Sequence, residues 1–225
     1  MKKILKTIFL CVSLPVFSLS AENLTQYVNP MIGTDGYGNV YPGAQIPFGG
    51  IQISPDTDAK FYDAAAGYKY NHISILGFSL THLSGTGIPD LGDFLFIPGT
   101  GEMKLDPGTR ENPTEGYRSR YSHDREWASP NYYAVELSDY GVKAEMTAGL
   151  RSGMFRFTYP KSEQAFIMID MNHTLWQSCE WSNLRMENDS TLTGYKLVKG
   201  WGPERHVYFT AVFSKEAEKF AFYAR

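Results

Sequence analysis

Tyr133-Ala134-Val135-Glu136-Leu137-Ser138-Asp139-Tyr140-Gly141-Val142-Lys143-Ala144-Glu145-Met146-Thr147 is the stretch that decides the fold class. Tyr133, Val135 and Leu137 fall on one side of an extended chain, and Val142, Ala144 and Met146 alternate with Lys143, Glu145 and Thr147. Side chains in a strand point to opposite faces in turn, so a period of two predicts two half-buried strands. Asp139-Tyr140-Gly141 between them has turn chemistry, and a hairpin follows.

Working outward, the same reading predicts strands over Met154 to Tyr159 before Pro160, Ala165 to Asp170, Thr191 to Val198 after the Asn188-Asp189-Ser190 turn, and His206 to Phe213. Many short strands with turn signals between them and little helical periodicity predict an all-β antiparallel sandwich or barrel. The segment His72 to Leu83, with Ile73, Ile75, Phe78 and Leu80, fits a short helix or strands equally well. Residues 29 to 50 are too rich in Gly and Pro for a helix and form a loop-rich lead-in. After a polar turn at Lys215 to Lys219, Phe220-Ala221-Phe222-Tyr223 begins what reads as another strand, so the domain is expected to be truncated at its C-terminal end.

Residues 1–20 read as a signal peptide. Lys2, Lys3 and Lys6 precede an apolar stretch from Thr7 to Phe17, and Ser18-Leu19-Ser20 offers a cleavage site before Ala21. Cys11 follows Leu10 rather than a small residue, so no lipid anchor is expected. The apolar run is too short to span a bilayer. The mature chain, residues 21–225, is expected to be exported to the periplasm or the medium, with no membrane insertion after the signal is removed. It keeps one cysteine, Cys179, which rules out an internal disulfide. Twenty-one basic and 24 acidic residues are scattered along the chain for a net charge of −3, which argues against nucleic acid or anionic membranes as partners.

Several chemistries are excluded by motif. Gly77-Phe78-Ser79-Leu80-Thr81 lacks the second Gly of a nucleophile elbow, and Gly33 to Gly38 has neither the Lys-Ser/Thr of a P-loop nor a helix to open. The five histidines, His72, His82, His123, His173 and His206, are too widely spaced to form a zinc motif, and no metal site is assigned. Two polar, Gly-rich loops remain. Thr81-His82-Leu83-Ser84-Gly85-Thr86-Gly87-Ile88-Pro89-Asp90-Leu91-Gly92-Asp93 carries hydroxyls, carboxylates and an imidazole along a backbone that glycines free to bend. Gly33 to Ala44 carries Asp35, Tyr37, Asn39 and Tyr41, and a third polar stretch, Phe61-Tyr62-Asp63, leads into Gly67-Tyr68-Lys69-Tyr70. Carboxylates beside aromatic rings suit a sugar, whose hydroxyls donate and whose C–H face stacks. Local turns explain the same residues equally well. If the loops are functional, residues 33–43 and 82–93 should converge on one edge of the sandwich.

Val28-Asn29-Pro30-Met31-Ile32-Gly33-Thr34, Tyr41-Pro42-Gly43-Ala44, Pro47-Phe48-Gly49, Gln52-Ile53-Ser54-Pro55-Asp56 and the block from Thr81 to Asp93 resemble, in order, the start of family 92 glycoside hydrolases. The likeness continues through Tyr140-Gly141-Val142 and Phe213-Ser214-Lys215. The resemblance implies an N-terminal β-sandwich of the supersandwich type, followed in the family by an (α/α)6 barrel that is absent from these residues. It implies exo-acting, inverting hydrolysis of α-mannosidic bonds in mannose-containing glycans, with calcium on the sugar. It places the acid, the base and the main calcium ligands in the barrel. No catalytic residue is therefore assigned to this chain, whose expected part is carbohydrate contact by Asp35, His82, Ser84 and Asp90 in an interdomain active site. The sequence departs from the family's pattern at Leu80, Tyr37 and Asn39, where histidines often stand, so the resemblance leaves the linkage open. A stand-alone carbohydrate-binding module and an inactive fragment are the alternatives.

Overall fold

The computed structural model describes residues 22–59 and 62–223. The expected signal peptide over residues 1–20, with Cys11, lies outside the described residues, as does Phe61. After the lead-in come β1 (Ala44–Gln45) and β2 (Gln52–Asp56), then β3 (Ser74–Ile75), β4 (Gly77–Ser79), β5 (Leu95–Thr100) and β6 (Ser119–Arg120). A meander follows in β7 (Glu126–Ser129), β8 (Tyr132–Leu137), β9 (Val142–Ala148) and β10 (Gly153–Thr158). The last strands are β11 (Ala165–Asp170), β12 (Ser178–Asn188), β13 (Thr191–Lys199) and β14 (Arg205–Val212). No α-helix occurs among the described residues, whose helical content is confined to 3-10 turns.

The fold is all-β and its ladders are antiparallel. A five-stranded sheet runs β1-β2-β4-β5-β11, a four-stranded sheet β10-β9-β8-β7, a three-stranded sheet β12-β13-β14, and β3 pairs with β6. The quoted hairpin is β8–β9, with Leu137 opposite Val142 and Tyr133 opposite Met146. Segment 72–83 resolves into β3 and β4 rather than a helix. Phe220 to Tyr223, expected to begin a strand, form no ladder with any of the described residues and stay exposed. Apolar content alone does not make a strand where no ladder takes up its backbone groups.

The five- and four-stranded sheets close on one core. Ile53 and Phe78 from the first face Tyr133, Val135, Ala144 and Met146 from the second, all buried. The three-stranded sheet is joined through aromatic rings: Phe209 of β14 lies 4.4 Å from Phe94 and 6.0 Å from Phe96 of β5.

A carboxylate sits inside this apolar frame. Asp56, the last residue of β2, is fully buried. Its Oδ1 is 2.8 Å from His82 Nε2, and its Oδ2 is 2.7 Å from His173 Nε2. His82 Nδ1 lies 2.7 Å from the Gln52 carbonyl oxygen. The carbonyl and the carboxylate are both acceptors, so the His82 ring is held between Gln52 at Nδ1 and Asp56 at Nε2. Burial pushes the Asp56 carboxyl upward, but the His82 charge and the hydrogen bonds from both imidazoles outweigh it and hold the pKa well below the usual carboxylate range. Gly67 makes room for the arrangement. Its φ is +84°, and a Cβ there would stand 2.0 Å from Asp56 Oδ1.

Two outcomes are expected. Gly67→Ala should destabilise the chain by about 2–4 kcal/mol, because the left-handed backbone and the carboxylate both resist a side chain. Asp56→Asn should cost about 3–5 kcal/mol near neutral pH by taking the shared charged acceptor from two buried imidazoles. Because the folded pKa of Asp56 lies below the unfolded value of about 3.9, its contribution is complete above that pH and fades as acid protonates it. Urea midpoints measured from pH 7 to pH 3 should therefore show a gap between wild type and Asp56→Asn that does not narrow between pH 7 and pH 5 and closes only below about pH 4. A gap that narrowed between pH 7 and pH 5 would contradict this assignment.

Candidate functional site

The two Gly-rich loops meet. Gly85 donates its N–H to the Asn39 carbonyl at 2.7 Å, and the rings of Tyr41 and His82 lie 5.0 Å apart. The neck of the 82–93 loop is closed by a bridge between His82 and Leu91, by Gly92 N–H to the Thr81 carbonyl at 2.8 Å, and by Leu80 N–H to the Asp93 carbonyl at 2.9 Å. The 33–43 loop is tied down by the Lys69 ammonium, which donates to the Gly36 carbonyl and lies 4.0 Å from Asp35 Oδ1. The tips of both loops remain at the surface. The Asp35 side chain is 56% exposed, Tyr37 is 98% exposed, and Ser84 is exposed.

Beneath the tips lies a chain of charges. Asp93 is buried; its Oδ2 accepts from the Thr81 hydroxyl at 2.7 Å and from Arg205 Nη1. Lys196 of β13, also buried, lies 3.2 Å from Asp93 Oδ1 and donates to the His173 carbonyl at 2.6 Å. Its ammonium stands 5.4 Å above the Phe94 ring. Burial draws the Asp93 carboxyl up, but the Lys196 and Arg205 charges draw it down further, so Asp93 stays ionised. Asp90 completes the series. Its Oδ2 accepts from Trp201 N–H at 2.9 Å, its Oδ1 from Leu91 N–H at 2.6 Å, and Arg205 Nη2 lies 3.8 Å away. These contacts fasten the 82–93 loop to β13, β14 and the 171–177 turn.

The residues singled out from sequence therefore divide. Asp35 and Ser84 stand at the converging tips. His82 and Asp90 are 3% and 4% exposed and face inward, with their polar atoms engaged by Asp56, Gln52, Leu91 and Trp201. Side chains committed to internal partners in this way fix the shape of the loop.

Beside Ile88 and Pro89 a cleft of about 520 Å³ opens between the turn Trp176–Ser178 and the connection Lys199–Trp201. Sequence reading missed these residues. The available signal was Gly200-Trp201-Gly202-Pro203, a tryptophan in a turn-forming context where no core strand would place it.

Calcium asks for about six to eight oxygen ligands. Among the described residues no group of three or more His, Cys, Asp or Glu side chains could hold a metal ion. The buried carboxylates of Asp56, Asp90 and Asp93 already face cations or backbone N–H groups. These residues do not fit the ion, and no step is derived through it.

Residues 27–225 match the Glycosyl hydrolase family 92 N-terminal domain. A family GH92 α-mannosidase from Bacteroides thetaiotaomicron, solved alone and with mannoimidazole, superposes with a TM-score of 0.85 at 86% identity, over 87% of this chain and 26% of that one. A second GH92 glycosyl hydrolase gives a TM-score of 0.69 at 27% identity, over 83% of this chain and 26% of that one. A protein of Arthroderma benhamiae described as an uncharacterized secreted glycosidase is 30% identical over 139 residues, 61% of this chain and 18% of its own length. The chain thus spans about a quarter of the solved relatives and less of the fungal one. With the match running through both loops and all the sheets that carry them, the chain belongs to glycoside hydrolase family 92, as its N-terminal domain.

Proposed function

We propose that this chain is the sugar-facing N-terminal domain of an exported, exo-acting α-mannosidase that cleaves mannose-containing glycans with inversion. The observation that carries the reading is the 86% identity to an α-mannosidase solved with mannoimidazole. The local chemistry supports it. Exposed Asp35 and Ser84 offer acceptor and donor groups to sugar hydroxyls, and the exposed Tyr37 ring, in the same loop as Asp35, offers a face for C–H groups. His82 and Asp90 act as positioning residues that fix the loop beneath.

Proton transfer is assigned elsewhere. An inverting glycosidase needs a carboxylic acid whose pKa is raised and a carboxylate that reaches water, roughly 6.5–9.5 Å apart. Asp56 and Asp93 are held low by their cationic partners and are shut away from water. They are poor acids and inaccessible bases. The resemblance to family 92 implies that the catalytic pair and the calcium ligands belong to the family's (α/α)6 domain and the active site to the face between the two domains, and the burial of Asp56 and Asp93 agrees with that reading.

The expected outcome is that residues 21–225 alone release no nitrophenol from a chromogenic α-mannoside, with calcium or with chelator. Loss of both an acid and a base removes about 10²–10⁴-fold each. The chain joined to the family's barrel domain should release mannose, and Asp35→Asn and Ser84→Ala should raise KM there without lowering the unfolding temperature. Calcium-dependent turnover by residues 21–225, abolished in Asp90→Asn or Asp93→Asn, would place the catalytic groups in this chain and overturn the proposal.

A further inference from the structure

The cleft beside Ile88 and Pro89 is built around two tryptophans that are held in place yet left uncovered. Trp176 is 46% exposed and Trp201 57% exposed. Trp176 occupies a left-handed backbone conformation with φ +69°. Bulky residues rarely adopt that region, and where they do the surroundings must enforce it, most often at ligand clamps and active sites. Here the enforcement is visible. The Thr174 hydroxyl donates to the Gln177 carbonyl at 2.8 Å, Leu175 N–H donates to the Leu91 carbonyl at 2.9 Å, and the Tyr62 ring meets the Trp176 ring edge to face at 4.2 Å.

Trp201 is fixed from the other side. Its N–H donates to Asp90, and the preceding Gly200 passes so close that a Cβ would stand 2.5 Å from Gln177 Cγ and 2.8 Å from Asp90 Oδ1. Gln177 also lines the cleft, with its Cγ against Gly200. Its Nε2 donates to the Pro89 carbonyl at 2.7 Å, which fixes the amide, and its Oε1 is buried with no protein partner. A buried acceptor left unmatched costs about 1–3 kcal/mol, and a ligand hydroxyl that displaced the lining enough to reach it would recover that cost. Lys199 adds an ammonium at the rim.

A tryptophan ring packed on Tyr62, a second carried on an anchored backbone, a fixed amide and a volume of about 520 Å³ match what a pyranose ring requires: apolar walls for its C–H faces and sparse polar groups for its hydroxyls. The other exposed tryptophans lack this setting. Trp181 packs on Tyr195, and Trp127 lies under Lys143. We propose that Trp176, Trp201 and Gln177 form a subsite for a second pyranose unit of the glycan, adjoining the sugar-facing loop through Ile88 and Pro89. The proposal rests on the mannosidase reading for the identity of that sugar. The cleft would hold the ring that remains after the terminal mannose leaves, and so select oligosaccharides over simple mannosides.

The test has a binding arm and a kinetic arm. Titration of the chain with α-mannobiose, followed by tryptophan fluorescence and calorimetry, should give saturable binding with a Kd on the order of millimolar, typical of one shallow subsite. Trp201→Ala and Trp176→Gly should each weaken it at least tenfold, Trp201→Phe should recover it to within about threefold, and Trp181→Ala should leave it unchanged. Glycine is chosen at position 176 because it accepts the positive φ without strain. Unfolding temperatures within about 2 °C of wild type would exclude loss of fold as the cause. In the chain joined to the barrel domain, Trp201→Ala should raise KM for α-mannobiose about tenfold and leave that for α-mannosyl fluoride, which has no second ring, unchanged. Absence of saturable binding by the wild type, equal losses in Trp181→Ala, or an unchanged KM for α-mannobiose would overturn the subsite while leaving the mannosidase reading intact. If the joined protein released no mannose but the chain still bound another oligosaccharide through both tryptophans, the subsite would stand and the mannosidase reading would fall.

Discussion

A carboxylate held between two imidazoles in a dry interior is the contact on which the remaining structure depends. Asp56 terminates β2, His82 opens the 82–93 loop and His173 opens the turn that carries Trp176, so a single ionised group gathers three distant stretches of chain. Desolvating such a group is costly, and an ion pair in a protein interior seldom adds much net stability. What it adds is directionality. Apolar packing tolerates sliding, whereas Asp56 accepts only where both Nε2 atoms converge, and Gly67 leaves no alternative placement for the backbone beside it.

From Asp56 the polar contacts continue outward. His173 hands its carbonyl to Lys196, Lys196 faces Asp93, Asp93 holds Arg205, and Asp90 holds the backbone of Trp201. Each step exchanges hydration for a charged or hydrogen-bonded partner inside the protein, which is the condition for a buried polar network to rigidify instead of weaken a fold. The surface loops therefore rest on a base that fixes their necks and leaves their tips free. This arrangement suits the sugar-facing surface proposed above.

Much of the scaffold was legible in the sequence because it obeys one period. The β8–β9 hairpin, β11 and the last two strands stand close to where alternation and turn residues put them. β12 escaped because bulges between Cys179 and Trp181 and between Met186 and Asn188 shift its register and break the alternation. Segment 72–83 was ambiguous because β3 and β4 are only two and three residues long, too short to display a period. The site was less legible. Sequence identified the two loops, and Ser84 and Asp35 stand where such loops place groups at a surface. The inward turn of His82 and Asp90 depends on partners far along the chain, Asp56 for one and Trp201 for the other, and no local pattern encodes them. Trp176 and Trp201 were hidden for a related reason: as letters they are ordinary aromatics, and only the constrained backbone around them marks them out.

The span of the Asp56 to His173 contact, 117 residues, also sets an order of events in synthesis. At about 5–20 residues per second, a ribosome takes on the order of ten seconds to move from one to the other. Through that interval Asp56 has His82 alone for company, and Phe94 waits for the Phe209 ring that arrives later still. The half-made sheet meanwhile presents an apolar face and open strand edges. Loop closure over this distance adds little entropy cost per extra residue, so the delay is one of availability more than of search. The nascent chain thus has a window in which holding by a chaperone matters more than intrinsic folding speed, and the window shuts when residues 173–209 are in place and the charges can be dehydrated together.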